Sequence, residues 1–231
     1  MAKKKNTTLS AYILLDRSGS MGGARWENAI GSINTYVESL RKQEGIDAKV
    51  TVAAFDSHGG GTRGFVNAVG GMQMLPLEKI DPNTFTVIRE AASLNEFKML
   101  EINELSPRGG TPLYDSTAKL INMAEKEGNE KTVIIIMTDG EENSSREYTL
   151  QAIRDRIGSC QKRGWEVLFL GAEFNVETMA RDYGIGMDKV VSTRSSAKLK
   201  DSMNFYATAS ASYTTAGAAI DTTTVKANLE S

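Results

Sequence analysis

Cysteine is almost missing from this chain. Cys160 stands alone among 231 residues. No intrachain disulfide can form, which excludes the stapled architecture of small secreted domains and points to a reducing compartment. The expected setting is the cytosol, or an assembly built from it such as a virion. Long apolar runs are missing too. No stretch approaches the roughly 20 apolar residues that a membrane-spanning helix needs. The lysines at the start are followed by an apolar run, Tyr12 to Leu15, that is too short for a signal peptide, and Asp16 ends it. Charge of one sign is also scarce. The net charge is -2 and the isoelectric point about 5.6, which argues against nucleic acid as a general partner, because phosphate binding needs a basic surface. The sole basic run, Lys3-Lys4-Lys5, reads as a solvated tail. Histidine occurs once, as His58.

What is present suits a globular chain. Apolar residues make up 40% and charged residues 24%, enough for a full core and close to an average soluble protein. The length is large for one average domain and small for two. Residues 1–8 read as a flexible tail. Residues 10–15 form a strand apolar at nearly every position, as expected for burial on both faces of a sheet. Residues 24–43 read as a helix, with Trp26, Ile30, Ile33, Val37 and Leu40 at helical spacing and Gly45 closing it. Residues 48–55 are a second strand.

The alternation then breaks. Residues 57–83 read as an insertion, longer than an ordinary connection. It opens with a glycine-rich loop at 57–62, offers short strands at 65–69 and 72–77, and turns around Pro82. Met72 and Met74 there are either core or an adaptable contact surface. A strand is expected at 85–89. Thr111 and Pro112 mark a helix start, N-cap then proline at N1, and that helix runs to about Lys126 with Gly128 ending it. Strands are expected at 131–138, 165–170 and 190–191, and helices at 148–163, 176–183 and 197–209. Cys160 reads as a small core residue on a helix. From 210 to 231 the chain is rich in Ala, Ser and Thr and reads as a loosely held tail. Strands that are apolar runs, alternating with helices, predict an α/β fold. The expected sheet is doubly wound and mostly parallel, with helices on both faces and one antiparallel edge strand.

Asp16, Ser18 and Ser20 fall in the loop where the first strand hands over to a helix. Their i, i+2, i+4 spacing points alternate side chains the same way. Hard oxygen donors of this kind suit Mg²⁺ or Mn²⁺ better than Zn²⁺. Thr111 begins a helix after two glycines. Asp139 ends a core strand and is followed by Gly140. Such loops lie at the carboxyl edge of a parallel sheet, where ligands bind.

Together these stretches resemble the von Willebrand factor type A (vWA) family and its metal-ion-dependent adhesion site. The matching residues are Asp16-Arg17-Ser18-Gly19-Ser20, then Thr111 in Arg-Gly-Gly-Thr-Pro-Leu-Tyr-Asp, then Asp139 in Thr-Asp-Gly-Glu-Glu-Asn. The resemblance covers about residues 9–209, and its texture is closest to small stand-alone bacterial and phage TerY-like proteins. The insertion at 57–83 departs from the family pattern. The resemblance implies a Mg²⁺ or Mn²⁺ site at Asp16, Ser18, Ser20, Thr111 and Asp139. It also implies a protein partner that donates a Glu or Asp to that metal.

Each residue has a plainer role open to it. Thr111 is also an N-cap candidate, Asp139-Gly140 a turn, and the serines loop or helix caps. Glu141, Glu142 and Asn143 read as a solvated acidic loop that can tune the charge of the site. Arg17 and Arg108 border the edge, either solvated or placed to grip a partner's carboxylate. His58 reads as an incidental loop residue, so no general base is evident and no enzyme activity is expected. Two other readings remain open. One is a structural or oligomerising protein that uses the insertion and the tail. The other is a Mg²⁺-dependent phosphatase with Asp16 as nucleophile. For the latter, position 18 carries Ser where a second Asp is wanted, and no companion lysine is well placed.

Overall fold

The structure is a computed structural model describing residues 8–58, 62–66, 69–76, 84–172, 176–193 and 195–223. The Lys3–Lys5 run, the turn around Pro82 and residues 224–231 lie outside the described residues. So do parts of the 57–62 loop and of the 65–69 segment.

The central sheet has the strand order β5-β2-β1-β6-β7-β8. The strands are β1 (Thr8–Asp16), β2 (Asp47–Phe55), β5 (Phe85–Ser93), β6 (Lys131–Met137), β7 (Glu166–Ala172) and β8 (Val190–Thr193). All pairings are parallel except β2 with β5, which places one antiparallel strand at an edge. The fold is therefore the expected doubly wound α/β sheet. Strand β1 sits between β2 and β6 with Leu15 beside Met137 and Asp16 beside Phe55. This register brings the carboxyl ends of three strands level.

The period-2 alternation of β1 divides the core. Leu9, Ala11, Ile13 and Leu15 face one layer, built with α1 (Ala24–Arg41) and α5 (Leu199–Ala216). Tyr12 and Leu14 face the other, built with α2 (Leu113–Glu127), α3 (Leu150–Lys162) and α4 (Val176–Asp182). Both faces of the strand are buried, so a continuous apolar run was the right signal. Cys160 is fully buried in the second layer, and burial pushes its thiol up to about 11.

Three elements differ from expectation. Strand β5 runs on to Ser93 through a bulge, where Ala91 takes a positive φ of 42° and donates its N–H to Thr51 Oγ1 at 2.9 Å. The extra residue breaks the alternation that sequence reading depends on. The last helix continues to Ala216 instead of ending near 209. Its hydroxyl residues bond back to carbonyls one turn earlier, Thr214 to Ser210 at 2.8 Å and Thr215 to Ala211 at 2.9 Å. Small side chains also let it lie against α1, where Tyr36 and Ser210 share a 3.1 Å hydrogen bond. The segment beyond is anchored as well. Ile220 is buried, and Thr222 donates its N–H to the Asp188 carbonyl at 2.8 Å and its hydroxyl to the Val190 carbonyl at 3.0 Å. This packed stretch corrects the expected loose tail from 210.

Within 57–83, β3 (Thr62–Val66) and β4 (Met72–Pro76) pair as a separate antiparallel hairpin. Val69, Met72 and Met74 are exposed on it. The two methionines are therefore not core. Among the described residues no helix is long and apolar enough to cross a membrane.

Candidate functional site

Asp16 is the last residue of β1 and is fully buried. Its Oδ1 accepts the Ser18 N–H at 2.7 Å and its Oδ2 accepts the Thr138 hydroxyl at 2.6 Å. Burial pushes its carboxyl up to about 6, against the opposing pull of the Thr138 and Ser18 hydrogen bonds. The loop then turns through a short 3-10 segment, Gly19–Met21. Ser18 Oγ and Ser20 Oγ lie 2.9 Å apart, and Ser20 Oγ donates to Asp139 Oδ1 at 2.7 Å. Neither serine hydroxyl caps a helix here: the 3-10 segment and α1 both start without a side-chain cap bond.

Thr111 joins this group across Gly140. A Cβ built on Gly140 would lie 3.6 Å from Ser20 Oγ and 3.6 Å from Thr111 Oγ1. The N-cap role expected of Thr111 is not what the structure has. Helix α2 begins at Leu113 without a side-chain cap from its own start. Its early N–H groups are taken from the next loop instead, Tyr114 N–H by Glu142 at 2.9 Å and Asp115 N–H by Ser145 Oγ at 3.1 Å. The Thr111 hydroxyl is thus not used in capping.

The acidic loop after Asp139 is built rather than merely solvated. Besides Tyr114 N–H, Glu142 accepts the N–H groups of Ser144 and Ser145 at 2.8 and 2.7 Å. Asn143 Oδ1 accepts the Thr111 N–H at 2.8 Å, and the Asn143 N–H reaches the Thr111 carbonyl at 3.1 Å. Asp115 returns the contact, accepting the N–H groups of Arg146, Glu147 and Tyr148. Gly110 is caught between the loops. A Cβ there would meet Ser144 Oγ at 2.4 Å and Asn143 Oδ1 at 2.6 Å.

Arg17 and Arg108 do not border solvent. Both are buried, and both pair with the buried carboxylate of Asp56, Arg108 Nε at 3.1 Å. This corrects the expectation that they are solvated or reach for a partner. Backbone bonds reinforce the clamp: Arg108 N–H to the Arg17 carbonyl at 2.8 Å, and Gly19 N–H to the Gly109 carbonyl at 2.9 Å. The arginine at the rim is Arg25, whose Nη1 lies 3.3 Å from Asp139 Oδ2 and 3.1 Å from the Ser20 carbonyl. His58 lines a separate polar cleft of about 500 Å³ with Asp115, Lys119 and Arg146.

The structure therefore gathers Ser18, Ser20, Thr111 and Asp139 at one point, with Asp16 directly behind through Ser18 and Thr138. Sequence reasoning missed Arg25, Asp56, Thr138 and the pinning roles of Glu142 and Asp115. Asp115 carried a signal as the end of the Thr-Pro-Leu-Tyr-Asp stretch, and Thr138 and Glu142 as members of Thr-Asp-Gly-Glu-Glu-Asn; Arg25 and Asp56 lie outside both stretches. Among the described residues no three of His, Cys, Asp and Glu are so grouped that they could hold a metal ion by themselves. The donor set is three hydroxyls and two carboxylates, hard oxygens that match Mg²⁺ or Mn²⁺ chemistry.

No protein-family model matches the chain, and no curated protein does. Solved structures match by fold. A von Willebrand factor type A protein from Catenulispora acidiphila superimposes with a TM-score of 0.56 at 17% identity, over 89% of this chain and 43% of that one. The manganese-loaded TRAP protein of Plasmodium vivax matches with 0.54 at 16%, over 86% and 74%. The SpRpn10 VWA domain matches with 0.51 at 13%, over 86% and 94%. The chain thus spans less than half of the Catenulispora protein's length. The likeness shows the fold, that of a vWA domain.

Proposed function

We propose that this protein is a divalent-metal-dependent protein-interaction module. Asp16, Ser18, Ser20, Thr111 and Asp139 would hold Mg²⁺ or Mn²⁺, and a partner's Glu or Asp would complete the coordination. The observation that carries this reading is the meeting of Ser20, Thr111 and Asp139 at Gly140, from three loops far apart in sequence. The manganese in TRAP, a protein of the same fold, supports the choice of ion.

The physics follows from the donor set. Three of the five donors are neutral hydroxyls, and the Asp16 oxygens already accept two hydrogen bonds. A cation held this way keeps uncompensated positive character, so a metal here would supply a Lewis-acidic socket for an external carboxylate. The protein's own part is positioning. Thr138 and the Ser18 N–H orient Asp16, and the Asp56 clamp holds the first two loops together. Arg25 adds positive charge at the rim, where it would favour an arriving anion.

The same arrangement favours binding over catalysis. Asp16 is fully buried with both oxygens engaged, which does not suit a nucleophile. A single cysteine, which allows no intrachain disulfide, suits a cytoplasmic setting, and the TerY-like texture of the motifs a bacterial or phage one.

Calorimetric titration of metal-free protein with Mg²⁺ and Mn²⁺ tests the reading. Wild type is expected to bind one ion saturably. Ser20→Ala and Thr111→Val, checked for folding by circular dichroism, are expected to lose at least about tenfold in affinity, as loss of metal-supporting groups does elsewhere. The metal-loaded protein should then bind N-acetylglutamate amide and the metal-free protein should not. Unchanged affinity in both variants would overturn the assignment.

A further inference from the structure

The polar cleft of about 500 Å³ opens between the end of β2, the first turns of α2 and the loop after β6. Two of its three carboxylates are already engaged. Asp56 is paired with Arg17 and Arg108. Asp115, 8% exposed, accepts the N–H groups of Arg146, Glu147 and Tyr148 at 2.8, 3.1 and 2.9 Å. The cations of the cleft are not engaged. Lys119 follows Asp115 by four residues, the spacing at which a helix pairs opposite charges. Asp115 is turned to the loop instead, and Lys119 makes no ion pair among the described residues. Arg146 is held through its N–H, and its guanidinium makes no ion pair among them either.

Ser116 lines the same cleft on the face of α2 that carries Lys119, three residues earlier. It is 3% exposed. Its N–H goes to the Pro112 carbonyl at 3.1 Å, but its hydroxyl has no hydrogen-bond partner among the described residues. Unlike the neighbouring Thr117 oxygen, which is sealed in the core, the Ser116 oxygen keeps contact with the cleft. A hydroxyl left unpartnered in an otherwise buried residue costs free energy, so a ligand oxygen that accepts from it would be stabilised. Ser57 adds a second donor. Its Oγ accepts the Gly110 N–H at 2.7 Å, which leaves its own proton to donate.

We propose that this cleft is a binding site for a phosphate group, either free or carried by a phosphoserine of a protein partner. A phosphomonoester carries a charge of about −1.5 to −2 at neutral pH and three acceptor oxygens. Lys119 and Arg146 match that charge, and the Arg146 fork suits phosphate oxygens. The Ser116 and Ser57 hydroxyls donate to the oxygens that remain. A carboxylate brings one charge and two oxygens, too few for this donor set. Glu147, the third carboxylate, opposes the anion from the rim. The volume falls within the range of small-ligand sites. The cleft is separate from the metal edge and needs no metal.

The test uses metal-free protein, so that no ion can hold the phosphate and failure of the metal reading leaves the result readable. N-acetylphosphoserine amide and inorganic phosphate are titrated by calorimetry at about 0.15 M salt. N-acetylserine amide and N-acetylaspartate amide are the controls. The expected result is saturable binding of phosphate at one site, weaker binding of the aspartate probe and none of the serine probe. Tighter binding of the phosphoserine probe than of inorganic phosphate supports a site for a protein-borne phosphate, and the reverse order a site for the free ion. Lys119→Gln and Arg146→Gln should each weaken binding about tenfold, the worth of a hydrogen bond to a charged group, and Glu147→Gln should tighten it. Ser116→Ala should weaken binding without lowering the melting temperature, since its hydroxyl has no partner to lose. A hydroxyl that served only the fold would lower the melting temperature and leave affinity alone. Lys162→Gln, exposed at the far end of α3, should change nothing. No saturable binding of either phosphate probe, equal binding of the aspartate probe, or equal weakening by Lys162→Gln would overturn the proposal.

Discussion

Asp56 accepts a 3.1 Å hydrogen bond from Arg108 Nε through the same carboxylate oxygen that pairs with Arg17. One buried anion thus ties the loop carrying Ser18 and Ser20 to the loop carrying Thr111. Its other oxygen accepts the His58 N–H at 2.7 Å, which fixes the exit from β2. Removing one partner of a buried ion pair leaves charge without compensation. Asp56→Ala is therefore expected to destabilise the fold by about 3–5 kcal/mol in urea denaturation. Asp56→Asn keeps the size and one acceptor. It should fold more readily than Ala yet still bind Mg²⁺ more weakly than wild type.

The two glycines at the site separate packing from ligand binding. A Cβ at Gly110 meets two side-chain oxygens at 2.4 and 2.6 Å, and Ser57 Oγ at 3.0 Å. Gly110→Ala should therefore lower the melting temperature by forcing the loops apart. At Gly140 the nearest atoms lie at ordinary contact distance, 3.6 Å, but they are the hydroxyls of Ser20 and Thr111. Gly140→Ala should leave thermal stability within about 0.5 kcal/mol of wild type, as for a substitution without a clash. It should nevertheless reduce Mg²⁺ affinity, because the methyl group occupies the approach to those hydroxyls. Thermal melts beside metal titrations read both outcomes.

Arg25 competes with a metal for Asp139. Its side chain is 40% exposed and its Nη1 lies 3.3 Å from Asp139 Oδ2. A positive charge there opposes a second cation, though solvent screens it strongly. Arg25→Gln is expected to tighten Mg²⁺ binding by a factor of roughly two to five, the scale of an exposed charge interaction. The gain should shrink as salt is raised. The same variant should bind a carboxylate probe more slowly, since the rim loses its attraction for anions.

How far the sequence carries depends on the range of each interaction. The strands of the core were legible because burial on both faces writes a continuous apolar run, as in Ile13–Leu15 and Val133–Met137. The metal-edge residues were legible because Asp16, Ser18 and Ser20 sit together in one loop and Thr111 and Asp139 in short glycine-flanked ones. The Asp56 clamp was not legible. Its three members come from three separate loops, and nothing local distinguishes a buried arginine from a solvated one. Capping of α2 failed for a similar reason. Thr111-Pro112 has the local form of an N-cap, but Glu142 and Ser145 supply the bonds from some 30 residues away. The extension of α5 to Ala216 was hidden because its serines and threonines have weak helix propensity, and its packing on α1 decides the matter.

Away from the site, Arg89 holds the edge segment. It donates two 2.8 Å bonds to Glu104 and further bonds to the carbonyls of Lys98 and Met99. The Arg89 hydrogen bonds hold the Glu104 carboxyl below its ordinary value of 4.5, against some desolvation. A depressed folded pKa means stability that is full above the unfolded value and lost as pH falls through the folded one. Glu104→Gln should therefore be less stable than wild type at pH 7, by under about 1 kcal/mol for a pair so near the surface. The difference should be smaller at a pH below the ordinary carboxylate range than at pH 7. Denaturation curves for both proteins at the two pH values check the sign.

Metal binding and folding should be coupled, because the proposed ligands come from three loops that converge only in the folded chain. An ion that binds the native state alone stabilises it by RT ln(1 + [L]/Kd), about 2.7 kcal/mol at a hundredfold excess over Kd. For a domain of this size that is a rise in melting temperature of roughly 5–10 °C. Wild type should show this rise with Mg²⁺ and with Mn²⁺, and lose it on chelation. Ser20→Ala and Thr111→Val should start close to the metal-free wild type, since neither hydroxyl caps a helix, and should show little rise. Asp56→Asn should start lower but keep part of the rise, because its five ligand side chains are intact and only their spacing is loosened. A rise that survives in Ser20→Ala and Thr111→Val alike would place the ion elsewhere in the protein. A rise lost in those two and reduced in Asp56→Asn would tie the loop clamp to the metal.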